Sequence, residues 1–291
     1  MAKAKTHKAG TRSPFPAPAR LALLGMIGVP YDENSSHMRG TAEAPRAIRE
    51  ALASESTNTW DEEGSDVTTY VRDLGDVSFT RKVDPFYQIE SFIRRALDHG
   101  FAPIVLGGDH SITYASVRAV AALHDGLTIL HFDAHPDLYD EFKGNRHSHA
   151  SVFARIMEAK LAKRLVQIGI RTANGHQREQ AKKLGVETIE MKKWKGKVPK
   201  TEGPIYVSFD MDVLDPAFAP GVSHHEPGGM SLREALTAIQ SLPESLVGAD
   251  IVEVNPRRDR SEVTAMCAAK ILKELAAKMF ASIQDNKPAT S

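Results

Sequence analysis

The chain has 291 residues, 42% apolar and 25% charged, which describes a folded, water-exposed protein with room for one large core. Lys plus Arg equals Asp plus Glu at 37 each, so no bulk charge draws it to nucleic acid or an anionic membrane. No apolar run reaches the length of a bilayer span, and the single cysteine, Cys267, excludes an intrachain disulfide and a cysteine-based zinc site.

Residues 1–20 differ from the rest. They carry Lys3, Lys5, Lys8, Arg12 and Arg20, no acid, and Pro14, Pro16 and Pro18. This composition predicts a disordered basic tail. A transit peptide is the second reading, which the prolines oppose. The first apolar, β-rich run covers 21–29, followed by helical spacing over 44–52 and 88–96. Strand-type runs follow at 103–106 and 127–132, then a helix over 151–161 and strands at 165–170 and 205–209. A helix over 232–241, a strand at 247–254 and a helix over 263–283 complete the pattern. Cys267 falls on that last helix among alanines and reads as inert core. Alternating strands and helices predict an α/β protein, with a mostly parallel sheet and helices on both faces. Residues 21–291 parse as a single domain.

Polar residues punctuate the ends of these strands. His110 follows the 103–106 run across Gly107-Gly108-Asp109, Asp133 follows 127–132, Asp210 follows 205–209, and Glu253 lies near the end of 247–254. Parallel sheets bind ligands beyond the carboxyl ends of their strands, so these four positions are expected to converge. Asp133-Ala134-His135-Pro136-Asp137 adds ligand-type side chains at alternate positions, and Pro136 keeps His135 extended. Asp210-Met211-Asp212 repeats the device. Four carboxylates in one crevice repel one another unless protonated or met by cations. Two divalent ions would balance them. Oxygen-rich ligands with two imidazoles suit manganese first, with iron, nickel and zinc also compatible. A lone Asp or His at a strand end is usually a cap, and Asp109 and Asp215 are read that way. Glu253 can take two parallel N–H bonds from a guanidinium.

The strings GGDHS (107–111), DAHPD (133–137) and SFDMDVLDPAFAPG (208–221) resemble the metal-binding signatures of the ureohydrolase (arginase/agmatinase) family. The resemblance extends from Gly25 to the C-terminus. It is nearest to plant-type arginases through NSS (34–36), STNTWDEEG (56–64), LYDEFKGNRHSHASVFARIME (138–158), QIGIR (167–171), APGVSHHEPGG (219–229) and VGADIVEVNPRRD (247–259). It implies a three-layer α/β/α sandwich and two Mn2+ ions per chain. His110, Asp133, Asp137 and Asp210 would hold one ion. Asp133, His135, Asp210 and Asp212 would hold the other. By the same likeness Glu253 anchors the guanidinium, and His149 shuttles a proton, with His147 nearby. A homotrimer or homohexamer is implied too.

The expected reaction is hydrolysis of L-arginine to L-ornithine and urea. Agmatine, giving putrescine, or another guanidino acid is the alternative substrate. Asn145, Arg146 and Ser148 suit a substrate carboxylate, while Asp140 and Glu141 suit a cation. In VSHHE (222–226), His224 and His225 either touch substrate or cap the loop. A non-catalytic partner subunit is the reading from another class, and the complete ligand set argues against it. A mononuclear site or a zinc deacetylase would need only one ion. No phosphate-binding glycine loop appears, so no nucleotide is expected. The cytoplasm is the expected compartment, or the mitochondrial matrix if residues 1–20 are a transit peptide.

Overall fold

The computed structural model describes residues 23–285, so the basic tail at 1–20 lies outside the described residues. Eight strands form one sheet. They are β1 (Leu23–Gly28), β2 (Val71–Asp76), β3 (Phe101–Leu106), β4 (Thr128–Phe132), β5 (Arg164–Ile170), β6 (Glu187–Glu190), β7 (Ile205–Asp210) and β8 (Leu246–Val252). Seven helices accompany them: α1 (Ala44–Leu52), α2 (Pro85–Asp98), α3 (Ile112–Ala121), α4 (Val152–Glu158), α5 (Gly175–Leu184), α6 (Leu232–Gln240) and α7 (Val263–Asp285). The strand order is β2-β1-β3-β8-β7-β4-β5-β6 and every pairing is parallel.

The sheet is apolar on both faces because alternate side chains feed two separate cores. Ile104, Leu106, Leu130, Phe132, Val207 and Phe209 face α1, α6 and α7. On the reverse side, Val105 packs with α2 and α3, while Ile129 and Tyr206 pack with α3 and α4. The result is the expected three-layer sandwich, with a sheet that is wholly parallel.

All six expected strands form. The two unforeseen ones, β2 and β6, are the sheet edges. Only Leu74 is buried in β2, and no residue of β6 is. With one neighbour and little burial, these strands lack the apolar signature of the inner ones. Local chemistry sets the helix starts: Ser231 caps α6 in a reciprocal capping box with Glu234, and Asp84 accepts from Tyr87 N–H to open α2.

The topology matters for function. β3, β8, β7 and β4 are consecutive neighbours at the centre of the sheet. Their carboxyl ends release His110, Glu253, Asp210 and Asp133 side by side.

Candidate metal centre

The cluster is built around one atom. His110 Nδ1 lies 3.2 Å from Asp133 Oδ2, 3.1 Å from Asp137 Oδ2 and 3.1 Å from Asp210 Oδ2. It is buried and makes no hydrogen bond to any of them. Its tautomer follows from the far side of the ring. Tyr206, Thr113 and Ser208 hydroxyls all donate to the buried Asp250 carboxylate, Ser208 at 2.7 Å. Ser208 Oγ therefore accepts from His110 Nε2–H, at 3.0 Å. Nδ1 is left with a lone pair facing three carboxylates. That arrangement suits a cation.

A second group adjoins it. His135 Nδ1 lies 3.0 Å from Asp212 Oδ2 and 3.4 Å from Asp133 Oδ1. The Asp133, His135 and Asp212 ligand atoms all fall within 4.8 Å of one another. Backbone donors set the carboxylate angles: Asp133 Oδ1 accepts from His135 N–H at 2.5 Å, Asp210 Oδ1 from Asp212 N–H at 2.8 Å, and Asp212 Oδ1 from Ala134 N–H at 3.1 Å. The structure thus brings all six expected ligands together in two overlapping sets that share Asp133.

Electrostatics point the same way. Burial, then the charges of Asp212 and Asp133, push the Asp210 carboxyl well above the usual range. Burial alone would lower His110, but the surrounding carboxylates outweigh it and hold the ring well above its ordinary value. A proton and a divalent cation compete for such a position, and metal binding would release the proton. Asp137 and Glu253 hold left-handed backbone conformations at φ 49° and 66°. Each costs about 1 kcal/mol or more, a strain that concentrates at functional sites.

Glu253 lies beside this cage. Its Oε1 accepts from His110 N–H at 2.9 Å and from His149 Nδ1 at 2.8 Å. Its Oε2 is buried without a partner, an acceptor left for a ligand. Burial would depress His149, but the charge and hydrogen bond of Glu253 raise it to about 9. The opposite ring atom, Nε2, meets Ser36 Oγ at 2.8 Å and accepts from Ser36 N–H at 3.2 Å. The ambiguity between the two neighbouring histidines is resolved in position: His147 faces away and packs on Phe86 and Tyr114.

The expected substrate readers divide. His224 lines the crevice, its ring 5.4 Å from His149 and 5.6 Å from His135. His225 instead caps its loop through Pro220 O at 2.7 Å. Arg146 does not line the crevice; Asp140 and Glu158 hold its guanidinium. Ser148 Oγ accepts from Ala150 N–H and caps the turn that carries His149. Asn145 donates to Asn34 Oδ1 at 2.9 Å, locking two loops together. Asp215 is a turn device, accepting from Ala217, Gly228 and Gly229 N–H. Asp109 likewise is structural, tying Asn34 N–H and Ser111 to the site loop.

Sequence reasoning missed His131. It donates from Nε2 to Asp133 Oδ2 at 2.7 Å, and Gln167 donates to its Nδ1 at 3.1 Å. The signal was available: His131 is two residues before Asp133, on the same side of the strand. Ser36 lies in the NSS string at 34–36, but its role could not be read there, because it depends on a contact 113 positions away.

A parallel sandwich with a cage of acids and imidazoles at its carboxyl edge defines a class of protein that holds metal ions for chemistry. Comparisons narrow that class. Residues 22–277 match the Arginase family. Arginase 1, mitochondrial, of Arabidopsis thaliana is 46% identical over 278 residues, covering 89% of this chain and 81% of that protein. Agmatinase of Bacillus anthracis is 33% identical, covering 86% and 89%. The solved arginase from Medicago truncatula superposes with a TM-score of 0.82 at 44% identity, covering 90% and 89%. The chain belongs to the arginase family.

Proposed function

We propose that this protein is a binuclear manganese ureohydrolase that converts L-arginine to L-ornithine and urea. The observation that carries the reading is His110 Nδ1, buried and without a hydrogen bond among three carboxylates. The donor set is carboxylate and imidazole with no thiolate, which suits Mn2+. One ion would be held by His110, Asp133, Asp137 and Asp210, the other by Asp133, His135, Asp210 and Asp212. When bound, such a pair supplies an ionised water at neutral pH. Arginine as substrate is supported by the plant relatives named as arginases; the relative named as an agmatinase is more distant.

The chain's own residues supply the rest. Glu253 Oε2 accepts from a guanidinium N–H and fixes the group flat against the cage. His149 keeps its Nδ1 proton on Glu253, so Nε2 is the atom that exchanges a proton with the leaving amine. Ser36, which lines the crevice, holds that atom. The cavity of about 180 Å³ admits a small guanidino compound and no folded partner.

Residues 21–291 act as one catalytic domain in this reading, and the chain assembles as a homotrimer or homohexamer, which light scattering would measure. No helix among the described residues is long and apolar enough to cross a membrane. We place the protein in the cytoplasm; the mitochondrial matrix is the second reading, and the names of the plant relatives favour it. A reporter fused to residues 1–20 separates the two. The test of activity is urea release from arginine, agmatine and 4-guanidinobutyrate with manganese loaded and then chelated. Urea from arginine that vanishes on chelation is expected. Undiminished release after chelation would refute the metal mechanism.

A further inference from the structure

The crevice wall outside the expected metal ligands and the Glu253–His149 pair has its own chemistry. Ser36, Tyr139, Phe142, Thr172, Gln177 and Glu226 line it. No lysine or arginine does so among the described residues. Glu226 is therefore the one acid lining the crevice beyond the expected metal ligands and Glu253. Among the described residues, no hydrogen bond or ion pair engages its carboxylate, and its backbone carbonyl is taken by Arg171.

That carbonyl is held with unusual firmness. Arg171 donates to Glu226 O from Nε at 2.9 Å and from a terminal nitrogen at 2.6 Å. The same guanidinium donates to Asp212 O at 2.7 Å and to Val213 O at 3.2 Å. Every acceptor it meets is a backbone oxygen. A planar fork with five donors can gather carbonyls in this way, and a lysine cannot. Arg171 thus fastens the loop bearing Glu226 to the loop bearing Asp212. The distance from cage to Glu226 is set by this tether.

We propose that Glu226, positioned by Arg171, reads the ammonium group at the distal end of the substrate. The inference rests on the ureohydrolase reading above. In arginine and in agmatine, the amine is attached to the same carbon, counted from the guanidino nitrogen. One carboxylate at a fixed distance serves both. In 4-guanidinobutyrate that place in the chain is a carboxylate carbon, which Glu226 repels. The crevice therefore selects guanidino compounds with a distal cation.

The experiment compares kcat/KM for agmatine and for 4-guanidinobutyrate in wild type, Glu226→Gln and Glu226→Lys. The ratio of the two is read within one preparation, so partial misfolding cancels. Glu226→Gln should lower the ratio about tenfold, a charge-assisted hydrogen bond lost on one side and a repulsion relieved on the other. Glu226→Lys should lower it further and bring KM for 4-guanidinobutyrate below the wild-type value. Arg171→Lys should raise KM for agmatine and arginine more than it lowers kcat. Ratios within twofold of wild type in both Glu226 variants would overturn the assignment of Glu226 while leaving the hydrolase intact. A wild type that releases urea from none of the three compounds would instead overturn the hydrolase reading, and this proposal with it.

Discussion

Replacing Glu253 by Gln tests the Glu253–His149 pair directly. The structure puts Nδ1 of His149 2.8 Å from Glu253 Oε1, with both side chains buried. Glu253 holds the imidazole at about 9 against an ordinary 6.5, a difference worth about 3 kcal/mol. The folded-state value is the higher one. The stabilisation is therefore fully present below about pH 6.5 and is lost as pH rises through about 9. In Glu253→Gln, burial remains and the charge does not, so His149 should titrate at or below its ordinary value. The assay is thermal unfolding of EDTA-treated wild type and variant across this range, with the His149 ring followed by NMR. At about pH 6.5 the variant should lose roughly 5–10 °C in Tm, and the gap should narrow towards about pH 10. With manganese restored, the variant should raise KM and lower kcat at unchanged metal content. A Tm gap of the same size at both ends of the range would refute the ion-pair argument. Loss of metal would show that Glu253 serves the cage instead.

Asp133→Asn and Asp210→Asn should each abolish manganese-dependent turnover, since each serves both expected ions; full activity in either would refute the sharing. Asp210→Asn should also raise the Tm of the EDTA-treated protein, because it removes a carboxyl crowded by Asp212 and Asp133, and manganese should no longer add to that Tm. Ser36→Ala should cut kcat several-fold with little change in KM, because His149 Nε2 loses the Ser36 hydroxyl and keeps only the backbone N–H; an unchanged kcat would make Ser36 merely structural. Gly108→Ala would bring a methyl carbon to 1.7 Å from Tyr31 O and break the 2.9 Å bond from Asp109 N–H to that oxygen. A loss of about 3 kcal/mol in denaturant melts and a weakened hold on the 31–36 loop are expected; wild-type stability would show that the loop can shift.

The chemistry of this protein was legible wherever it is encoded locally. Donors at alternate positions made Asp133, His135 and Asp137 readable as one device, although the segment bends at Ala134 and His135 and turns left-handed at Asp137 instead of staying extended as expected. A strand buried on both faces must be apolar throughout, so the six inner strands announced themselves, and the acid or histidine closing four of them stood out. Charge counting over Asp133, Asp137, Asp210 and Asp212 was enough to ask for cations, and three short strings identified the family.

Tertiary structure decided what depends on residues distant in the chain. The order β3-β8-β7-β4 makes the four donor-bearing strands neighbours, and that order follows from packing across the sheet. Register between loops decided that His149, not His147, meets Glu253, that His224 faces the crevice while His225 caps, and that Arg146 turns to Asp140 and Glu158. It also recruited Ser36, His131 and Arg171, whose hydrogen bonds join separate strands and loops. The physical reason is one of range. Backbone alternation and side-chain polarity act over a few residues, whereas a hydrogen bond needs two atoms within about 3 Å, and only the folded chain brings such atoms together.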